Sequence, residues 1–519
     1  MASREEDFDV EDDEETVVEC STEENDIAFS TAPSPEAMQR FSARPAYAAA
    51  KKVLCSEAPF LAGFAPTDSY ERIEEHDARS VFTSPSSTFR MTTSTASMGV
   101  VMNQIRSGRE VNMDEVRIEE MLNYFDYSVP NPTDKKFTIS AEILPKKNGK
   151  KLLYINAQAK PEEKLHQNII LLLDISGSME VDREVTQEAI AAIFSKLHPG
   201  DRISLVTYSD EDHTVLDGYL VKSEHDKENL MGIVLGLEIE GCTFGSAGIN
   251  TAYDLGAKYY HPEWSNQVIL ITDGDLNFGI TDKYGLSKLI EEKKKNNLFL
   301  SVIGTGLFNY KDDNLEVLAK HGNGTYCAIN DLEDVEESVV RRYISLTNII
   351  AKDVKAQVEF NPRFVSKYRL LGYENRELSH QDFKNDAVIS EPYGSGGHGV
   401  ALYELEFCNG SQPEAELKYQ KPVLTDSKEL ATVKIRYKEP LSNKSEEIEA
   451  IVTGNEGSTG NAQLAYLLYC ISETLRGSDK LDDYDKQFLD VMLTSRVYEN
   501  YSGANAEKLK ALIAALEEV

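Results

Sequence analysis

The chain is 519 residues long, and 41% of its residues are hydrophobic and 27% charged, which is typical of a folded protein and excludes a wholly disordered chain. Two to four domains are expected at this length. The formal net charge is −34 at pH 7. Because so much negative charge repels phosphate backbones, we expect no nucleic-acid partner. The six cysteines form no CxxC pair, which favours free thiols over a zinc site or a disulfide scaffold.

The N-terminal 80 residues are predicted to be an acidic disordered tail and a linker, which leads into the turn-rich stretch 83–88. Residues 1–26 contain 13 acidic residues against Arg4, and such a block stays solvated or, alternatively, serves as an acidic docking peptide. No signal-like segment opens the chain and no run of 18 apolar residues occurs. We therefore expect no direct membrane insertion and a cytoplasmic location, or a cell-envelope or extracellular one if a signal or anchor was removed.

Residues 81–160 are predicted to hold a helical segment and a β-hairpin. Apolar residues follow helical spacing through 91–127, which we interpret as one packed helical element. Two strand-like runs follow at 136–143 and 151–157. Because a hairpin alone leaves strand edges open, we expect it to pack on other strands of the chain.

A regular alternation of apolar strands and amphipathic helices fills residues 165–350. The strands are predicted at 168–173, 202–208, 267–272 and 298–303. The helices are predicted at 184–197, 227–235, 286–295 and 315–319. Near-continuous hydrophobic strands such as NIILLLD and QVILITD are typical of the centre of a parallel sheet covered by helices on both faces. We therefore predict an α/β domain with an open, doubly wound, mostly parallel sheet.

Beyond that domain the pattern changes to strands and turns. A helix is predicted over 335–350, and a β-rich companion domain over 351–455 is the expected partner of the hairpin. Its strands are predicted at 353–360, 367–371, 399–407 and 431–437. Residues 456–519 have helical spacing, so helices are predicted to close the chain.

One carboxylate and two hydroxyls follow the first strand of the α/β domain. The run NIILLL leads directly into Asp174, Ser176 and Ser178, and ligands bind at this edge of open α/β sheets. Small oxygen ligands on a tight loop suit a hard divalent cation such as Mg²⁺, although a lone DxSxS pattern is more often a turn or a helix cap. Two further elements favour the metal site. Thr243 lies in a loop before a predicted helix, and Asp273 follows the strand QVILIT.

In order and strand context these residues resemble the metal-ion-dependent adhesion site of the von Willebrand factor type A family, which combines a DxSxS loop, a later threonine and an aspartate in a TDG turn. The resemblance implies that Mg²⁺, with Mn²⁺ and Ca²⁺ as alternatives, is held by Asp174, Ser176, Ser178, Thr243 and Asp273. It also implies that the hydroxyls coordinate directly, that the aspartates often act through water, and that an open coordination position accepts an acidic side chain of a partner.

The flanking segments resemble bacterial proteins in which such a domain follows an STF…TAS…VRIEEMxNYF segment and precedes a companion domain. The upstream segments here are STF at 87–89, TAS at 95–97 and VRIEEMLNYF at 116–125. The downstream segments are VEFNP at 358–362, YRLLGYENR at 368–376 and GHGVALYEL at 397–405. Thr92 and Thr93 stand where acidic residues are expected, so no role is transferred to that position.

The sequence gives less support to enzymatic functions. A phosphatase of the haloacid dehalogenase type needs a second acid two residues after its nucleophile, a place that Ser176 occupies here. Ser178 is not in a GxSxG elbow, and His213, His321 and His398 are interpreted as loop residues rather than bases. No P-loop sequence occurs, so P-loop nucleotide hydrolysis is excluded.

The sequence therefore predicts a non-enzymatic adhesion or adaptor protein whose Mg²⁺ captures an Asp or Glu carboxylate of a protein ligand. The alternative is a structural interaction subunit that binds through its β-rich domain, with the metal only stabilising loops. Chelation abolishes binding in the first case and spares it in the second. Core packing is predicted for Tyr373, with a surface patch of Tyr373 and Arg376 as the alternative.

Overall fold

The structure of the chain is a computed structural model, and its described residues are 70–146, 149–163, 165–239, 245–274, 283–293, 298–306, 312–408, 426–442, 444–454, 460–494, 501 and 503–517. Within these ranges no helix combines the length and the apolar character needed to cross a bilayer. Residues 1–69 of the predicted N-terminal tail and linker, and the metal-site candidate Thr243, lie outside the described residues. The end of that predicted linker is described and forms a short strand, Arg79–Ser80. Three cysteines of the described part are free thiols, namely Cys327, Cys408 and Cys470.

Seventeen strands are assigned in the described residues. They are β1 (Arg79–Ser80), β2 (Ser86–Arg90), β3 (Phe137–Pro145), β4 (Lys151–Ala159), β5 (Gln167–Asp174), β6 (Arg202–Tyr208), β7 (Asp212–Leu220), β8 (Ser265–Thr272), β9 (Phe299–Thr305), β10 (Asn323–Ile329), β11 (Ile349–Phe360), β12 (Val365–Leu371), β13 (Glu377–Leu378), β14 (Tyr393–Gly394), β15 (His398–Phe407), β16 (Ala431–Lys438) and β17 (Ser445–Val452). They form three sheets.

The α-helices of the same residues, leaving aside one three-residue turn, are α1 (Ala96–Arg106), α2 (Ile118–Asn123), α3 (Arg183–Ser195), α4 (Glu224–Leu235), α5 (Gly245–Lys258), α6 (Lys283–Lys293), α7 (Asp312–His321), α8 (Tyr343–Thr347), α9 (Gly460–Leu475), α10 (Asp483–Thr494) and α11 (Ala504–Glu517). A π-helix, Val335–Arg341, precedes α8. The longest helices therefore lie in the central third of the chain and at its C-terminus.

The central unit is an α/β layer structure around a sheet with strand order β10-β9-β8-β5-β6-β7. All neighbouring pairs are parallel except β6 and β7, which are antiparallel. Alternate side chains of β5 enter opposite cores, because successive residues of a strand point to opposite faces. Ile169, Leu171 and Leu173 pack towards α3 and α4, whereas Ile170 and Leu172 pack towards α5 and α7. The predicted fold class, an open doubly wound and mostly parallel sheet, is confirmed.

A β-sandwich flanks this unit and is built from segments on both sides of it in the sequence. One sheet has the order β1-β12-β15-β4-β3 and the other the order β13-β2-β11-β16-β17. The hairpin strand β4 pairs with β15, and β2 pairs with β11. Their inner faces share one hydrophobic core that includes Phe89, Ile155, Phe360 and Tyr403. The central unit is thus an insertion between strands of the sandwich.

Two sequence predictions in this region are wrong. The stretch 83–88 was interpreted as a turn, but β2 begins at Ser86, and its Ser87 and Thr88 are buried in the sheet. A single helix was predicted over 335–350, but α8 ends at Thr347 and β11 begins at Ile349. In both places the sheet pairing with distant strands overrides the local sequence pattern.

Helices cover the outer face of the first sandwich sheet. Leu152, Tyr154, Val400 and Leu402 project from β4 and β15 into a second apolar core with α1, α2 and the C-terminal helices. The single helical element predicted over 91–127 is instead two helices separated by a 3₁₀ turn. Since α1 also packs on the central unit, it joins the helical layer to the α/β layer.

A buried arginine links the central unit to the sandwich. The Arg376 side chain is 2% exposed and donates hydrogen bonds to Glu119 at 2.7 Å, Glu120 at 2.9 Å, Glu316 at 2.8 Å and Glu391 at 3.1 Å. Glu316 lies on α7 of the central unit, and Glu119 and Glu120 lie on α2. We call these five side chains the Arg376 cluster. It fixes the central unit against its flanking layers.

Candidate metal site

The first candidate ligand, Asp174, is the last residue of β5 and is 1% exposed. Its Oδ1 accepts a hydrogen bond from the backbone N–H of Ser176 at 2.9 Å. This contact closes the loop that follows the strand and brings the Ser176 side chain back beside the carboxylate. A backbone hydrogen bond therefore holds the loop against the end of β5.

The two serines of this loop present their hydroxyls side by side. Ser176 Oγ and Ser178 Oγ are 3.2 Å apart. Adjacent ligands of an octahedral Mg²⁺ at 2.0–2.1 Å lie about 3 Å from one another, so this spacing fits a shared ion. Ser176 is 2% exposed, whereas Ser178 is exposed on the turn Gly177–Glu180. One hydroxyl thus belongs to the interior and the other to the surface.

Asp273 directly follows β8, which pairs in parallel with β5, so it reaches the same edge of the sheet. It is 2% exposed. The preceding Thr272 hydroxyl donates to Asp174 Oδ2 at 2.8 Å and accepts from the N–H of Gly274 at 3.1 Å. Gly274 has a φ of +84°, a value that favours glycine, so the turn after Asp273 depends on it. One threonine hydroxyl thus ties the two strand ends together.

The electrostatics of the site favour a bound cation. Burial raises the pKa of Asp174, and hydrogen bonds from Ser176, Thr272 and Tyr208 oppose that rise. A buried carboxylate with neutral donors around it retains a cost of desolvation that a nearby cation removes. A divalent ion beside the hydroxyls would supply that charge. The donors are all oxygens, which matches the preference of Mg²⁺.

Four of the five predicted site residues, Asp174, Ser176, Ser178 and Asp273, lie at one edge of the sheet. Tyr208, the last residue of β6, was missed because it reads as part of an apolar strand run, and its hydroxyl donates to Asp174 Oδ2 at 3.2 Å. Its signal is positional, since it pairs in register with Asp174.

The interpretation of three histidines as loop residues is wrong. His213 lies in β7, His321 ends α7, and His398 begins β15. His398 is buried, and its Nε2 is 3.0 Å from the carbonyl oxygen of Phe125. Burial lowers the pKa of His398 to about 4, so this ring is neutral at pH 7 and donates to that carbonyl.

Three family models match successive parts of the chain. The model described as "von Willebrand factor type A domain" matches residues 168–341, which contain the candidate site. A model described as "von Willebrand factor" matches residues 65–153. The model described as "Uncharacterized protein YfbK, C-terminal" matches residues 345–518. Together the three models cover most of the described residues, with gaps at 154–167 and 342–344.

A curated relative decides the assignment. The protein of Escherichia coli (strain K12) named "Uncharacterized protein YfbK" is 30% identical over 470 residues, which cover 86% of this chain and 80% of the relative. The chain belongs to the YfbK family of von Willebrand factor type A proteins. Its resemblance to a bacterial protein of this type, noted from the flanking segments, is confirmed.

Other similarities of this YfbK-family chain are confined to fewer residues or are more distant. Inter-alpha-trypsin inhibitor heavy chain H1 of Sus scrofa is 28% identical over 200 residues, which are 37% of this chain and 22% of that protein. The solved structure of "von Willebrand factor type A from Catenulispora acidiphila" has a TM-score of 0.38 and 15% identity, with coverage of 72% of this chain and 82% of that one.

Proposed function

We propose that this chain is a non-enzymatic, divalent-metal-dependent protein-binding module of the adhesion or adaptor type. Mg²⁺, with Mn²⁺ and Ca²⁺ as alternatives, is held by Asp174, Ser176, Ser178, Thr243 and Asp273. An open coordination position on the ion accepts the carboxylate of an Asp or Glu side chain of a partner protein.

The observation that carries the proposal is the pair of hydroxyls on Ser176 and Ser178. They lie 3.2 Å apart, beside a buried carboxylate, and only the second one is exposed. An ion shared by these hydroxyls lies at the boundary between interior and solvent, where it keeps a position for an incoming ligand. The membership of a von Willebrand factor type A family supports the same function.

The environment of Asp174 supports binding rather than phosphoryl transfer. A nucleophilic aspartate needs an oxygen that reaches the substrate, but Asp174 is 1% exposed. Its Oδ2 accepts two hydrogen bonds and its Oδ1 one. Ser176 also stands where a phosphatase of that class has its second acid. The acidity of the whole chain favours a partner whose carboxylate has basic neighbours, since complementary charge steers association.

The capture of a carboxylate can be tested without knowing the partner. Mn²⁺ is bound to the full chain, and the enhancement of water proton relaxation by the bound ion is followed while acetate is added. Acetate is expected to lower the enhancement, because its carboxylate replaces a coordinated water. Acetamide, which has a similar shape and no charge, is expected to leave it unchanged. The Ser176→Ala variant is expected to bind Mn²⁺ too weakly to show either response.

Ser195→Ala is the matched control, because this exposed serine lies at the far end of α3 and its hydroxyl donates to the Ala192 carbonyl at 2.7 Å. It is expected to behave as the wild type. Saturable Mn²⁺ binding that does not respond to acetate contradicts carboxylate capture. That result favours the alternative, in which the metal stabilises loops and the β-rich sandwich binds the partner.

A further inference from the structure

Both lone pairs of one Asp174 oxygen are taken by neighbouring hydroxyls. Asp174 Oδ2 accepts from Thr272 Oγ1 at 2.8 Å and from the Tyr208 hydroxyl at 3.2 Å. Oδ1 accepts from the N–H of Ser176 at 2.9 Å. Because Oδ2 is fully engaged towards the interior, Oδ1 is the oxygen left to face the serine loop. The carboxylate is thus held in one orientation by groups from strands β6 and β8 and from the loop after β5.

The Tyr208 ring cannot easily turn its hydroxyl elsewhere. Tyr208 is 0% exposed and packs in the core beneath α5 with Leu172 and Tyr253. Gly248 of α5 lies directly on it, since a Cβ at that glycine would stand 3.1 Å from both Cβ and Cδ1 of Tyr208.

We infer that Tyr208 is a positioning residue of the metal site, whose hydroxyl fixes the Asp174 carboxylate so that Oδ1 faces the Ser176 loop and thereby sets the affinity for the divalent ion. The inference rests on the proposed function, because it concerns the same site. Tyr208 lies outside the DxSxS, threonine and TDG elements of the family motif. Its role follows from its place beside Asp174 at the end of β6.

The test is the dissociation constant for Mn²⁺ of the full chain, measured calorimetrically in the wild type and in Tyr208→Phe. The ring and its packing stay, and only the donor to Asp174 is removed. Loss of a group that orients a metal ligand weakens metal affinity by about 10–100-fold. We expect Tyr208→Phe to weaken Mn²⁺ binding by at least about tenfold.

Tyr253→Phe is the control. Tyr253 is 2% exposed in the same apolar core, and its hydroxyl has no hydrogen-bond partner among the described residues. The dissociation constant of Tyr253→Phe for Mn²⁺ is expected to stay within about twofold of the wild-type value, which is below the change expected when a group that orients a metal ligand is lost. Urea unfolding of the metal-free proteins is measured beside the titrations, because a purely structural role of Tyr208 changes stability without changing affinity.

The outcomes separate this inference from the proposed function. Wild-type Mn²⁺ affinity in a folded Tyr208→Phe overturns the inference and leaves the metal site standing. A wild type that binds no Mn²⁺ overturns the proposed function itself. If Tyr208→Phe does not fold, Thr272→Val and Thr272→Ser probe the other donor to the same Oδ2. Only the valine variant is expected to lose affinity, and equal affinity of the two contradicts the orienting role of that oxygen.

Discussion

Replacing Arg376 with methionine is expected to lower the free energy of unfolding by about 3–5 kcal/mol, because it leaves buried carboxylates without their counter-charge. Glu119 and Glu120 are 2% and 0% exposed, and Glu316 and Glu391 are 18% and 13% exposed. Burial lowers the pKa of Arg376, but the carboxylates outweigh it and raise that pKa well above its usual value. Urea unfolding followed by circular dichroism measures the loss.

Arg341→Met is the matched control for this change. The Arg341 side chain is 42% exposed and lies 3.7 Å from Glu336, which is 56% exposed. The buried Glu337, also 3.7 Å from Arg341, keeps Arg342 and Lys508 as partners. Exposed pairs of this kind contribute about 0–1 kcal/mol, so a small effect is expected. Equal losses in the two variants contradict the role assigned to the Arg376 cluster.

The Arg376 cluster also makes the stability of the protein depend on pH. Burial raises the pKa of Glu316, but Arg376 and Arg117 outweigh it and lower that pKa to about 2. The ionised Glu316 carboxylate therefore contributes fully to the free energy of unfolding above the ordinary pKa of about 4.5, and this contribution is lost as the pH falls towards 2. The free energy of unfolding is therefore expected to fall below pH 4.5, and to fall less steeply in Arg376→Met.

Replacing Lys146 with methionine is expected to lower the free energy of unfolding by about 3 kcal/mol, which is the lower end of the range for breaking a buried ion pair. Lys146 follows β3, its side chain is 1% exposed, and its Nζ lies 2.7 Å from Glu404 and 2.6 Å from Asp485. Burial lowers the pKa of Lys146, but these carboxylates outweigh it and raise that pKa. Because Asp485 lies on α10 and Glu404 on β15, the lysine anchors the C-terminal helices to the sandwich.

Lys150→Met is the control, since Lys150 pairs with the same Glu404 at 3.0 Å but is 31% exposed. A loss of about 1 kcal/mol or less is expected there, as is usual for pairs open to solvent. Both variants are measured by urea unfolding at pH 7. A Lys146→Met protein as stable as Lys150→Met contradicts the anchoring of α10 by a buried charge.

The sequence predicted the centre of the α/β sheet well, because a strand buried on both faces leaves a near-continuous apolar run. The predicted bounds of β5, β6 and β8 agree with the structure to within two residues. Strand β7 was missed, since it lies at the sheet edge and only Leu216 and Gly218 of its residues DHTVLDGYL are buried. Composition alone does not separate such an edge strand from a loop.

The candidate site was predicted as a set of ligands but not as a supported structure. The spacing of Asp174, Ser176 and Ser178 and the place of Asp273 after a strand are local patterns that predict the ligands. No local pattern predicts the Tyr208 hydroxyl as a donor to Asp174, because only the pairing of β6 with β5 brings the two residues together. A surface patch is the alternative that the sequence offers for Arg376, whereas the structure buries it among four carboxylates, three of them 60 or more residues away in the sequence. Contacts between distant segments leave no local pattern.

The most direct test of the metal site is a calorimetric titration of Mg²⁺ into the chelator-treated full chain, beside Asp174→Asn, Thr243→Ala and the control Ser195→Ala. Saturable heat is expected in the wild type and in the control. The affinity for Mg²⁺ is expected to weaken by at least about 10–100-fold in the two site variants, because each loses a group that holds the ion. A folded wild type without saturable heat for Mg²⁺, Mn²⁺ or Ca²⁺ contradicts the metal site and moves the binding function to the β-rich sandwich.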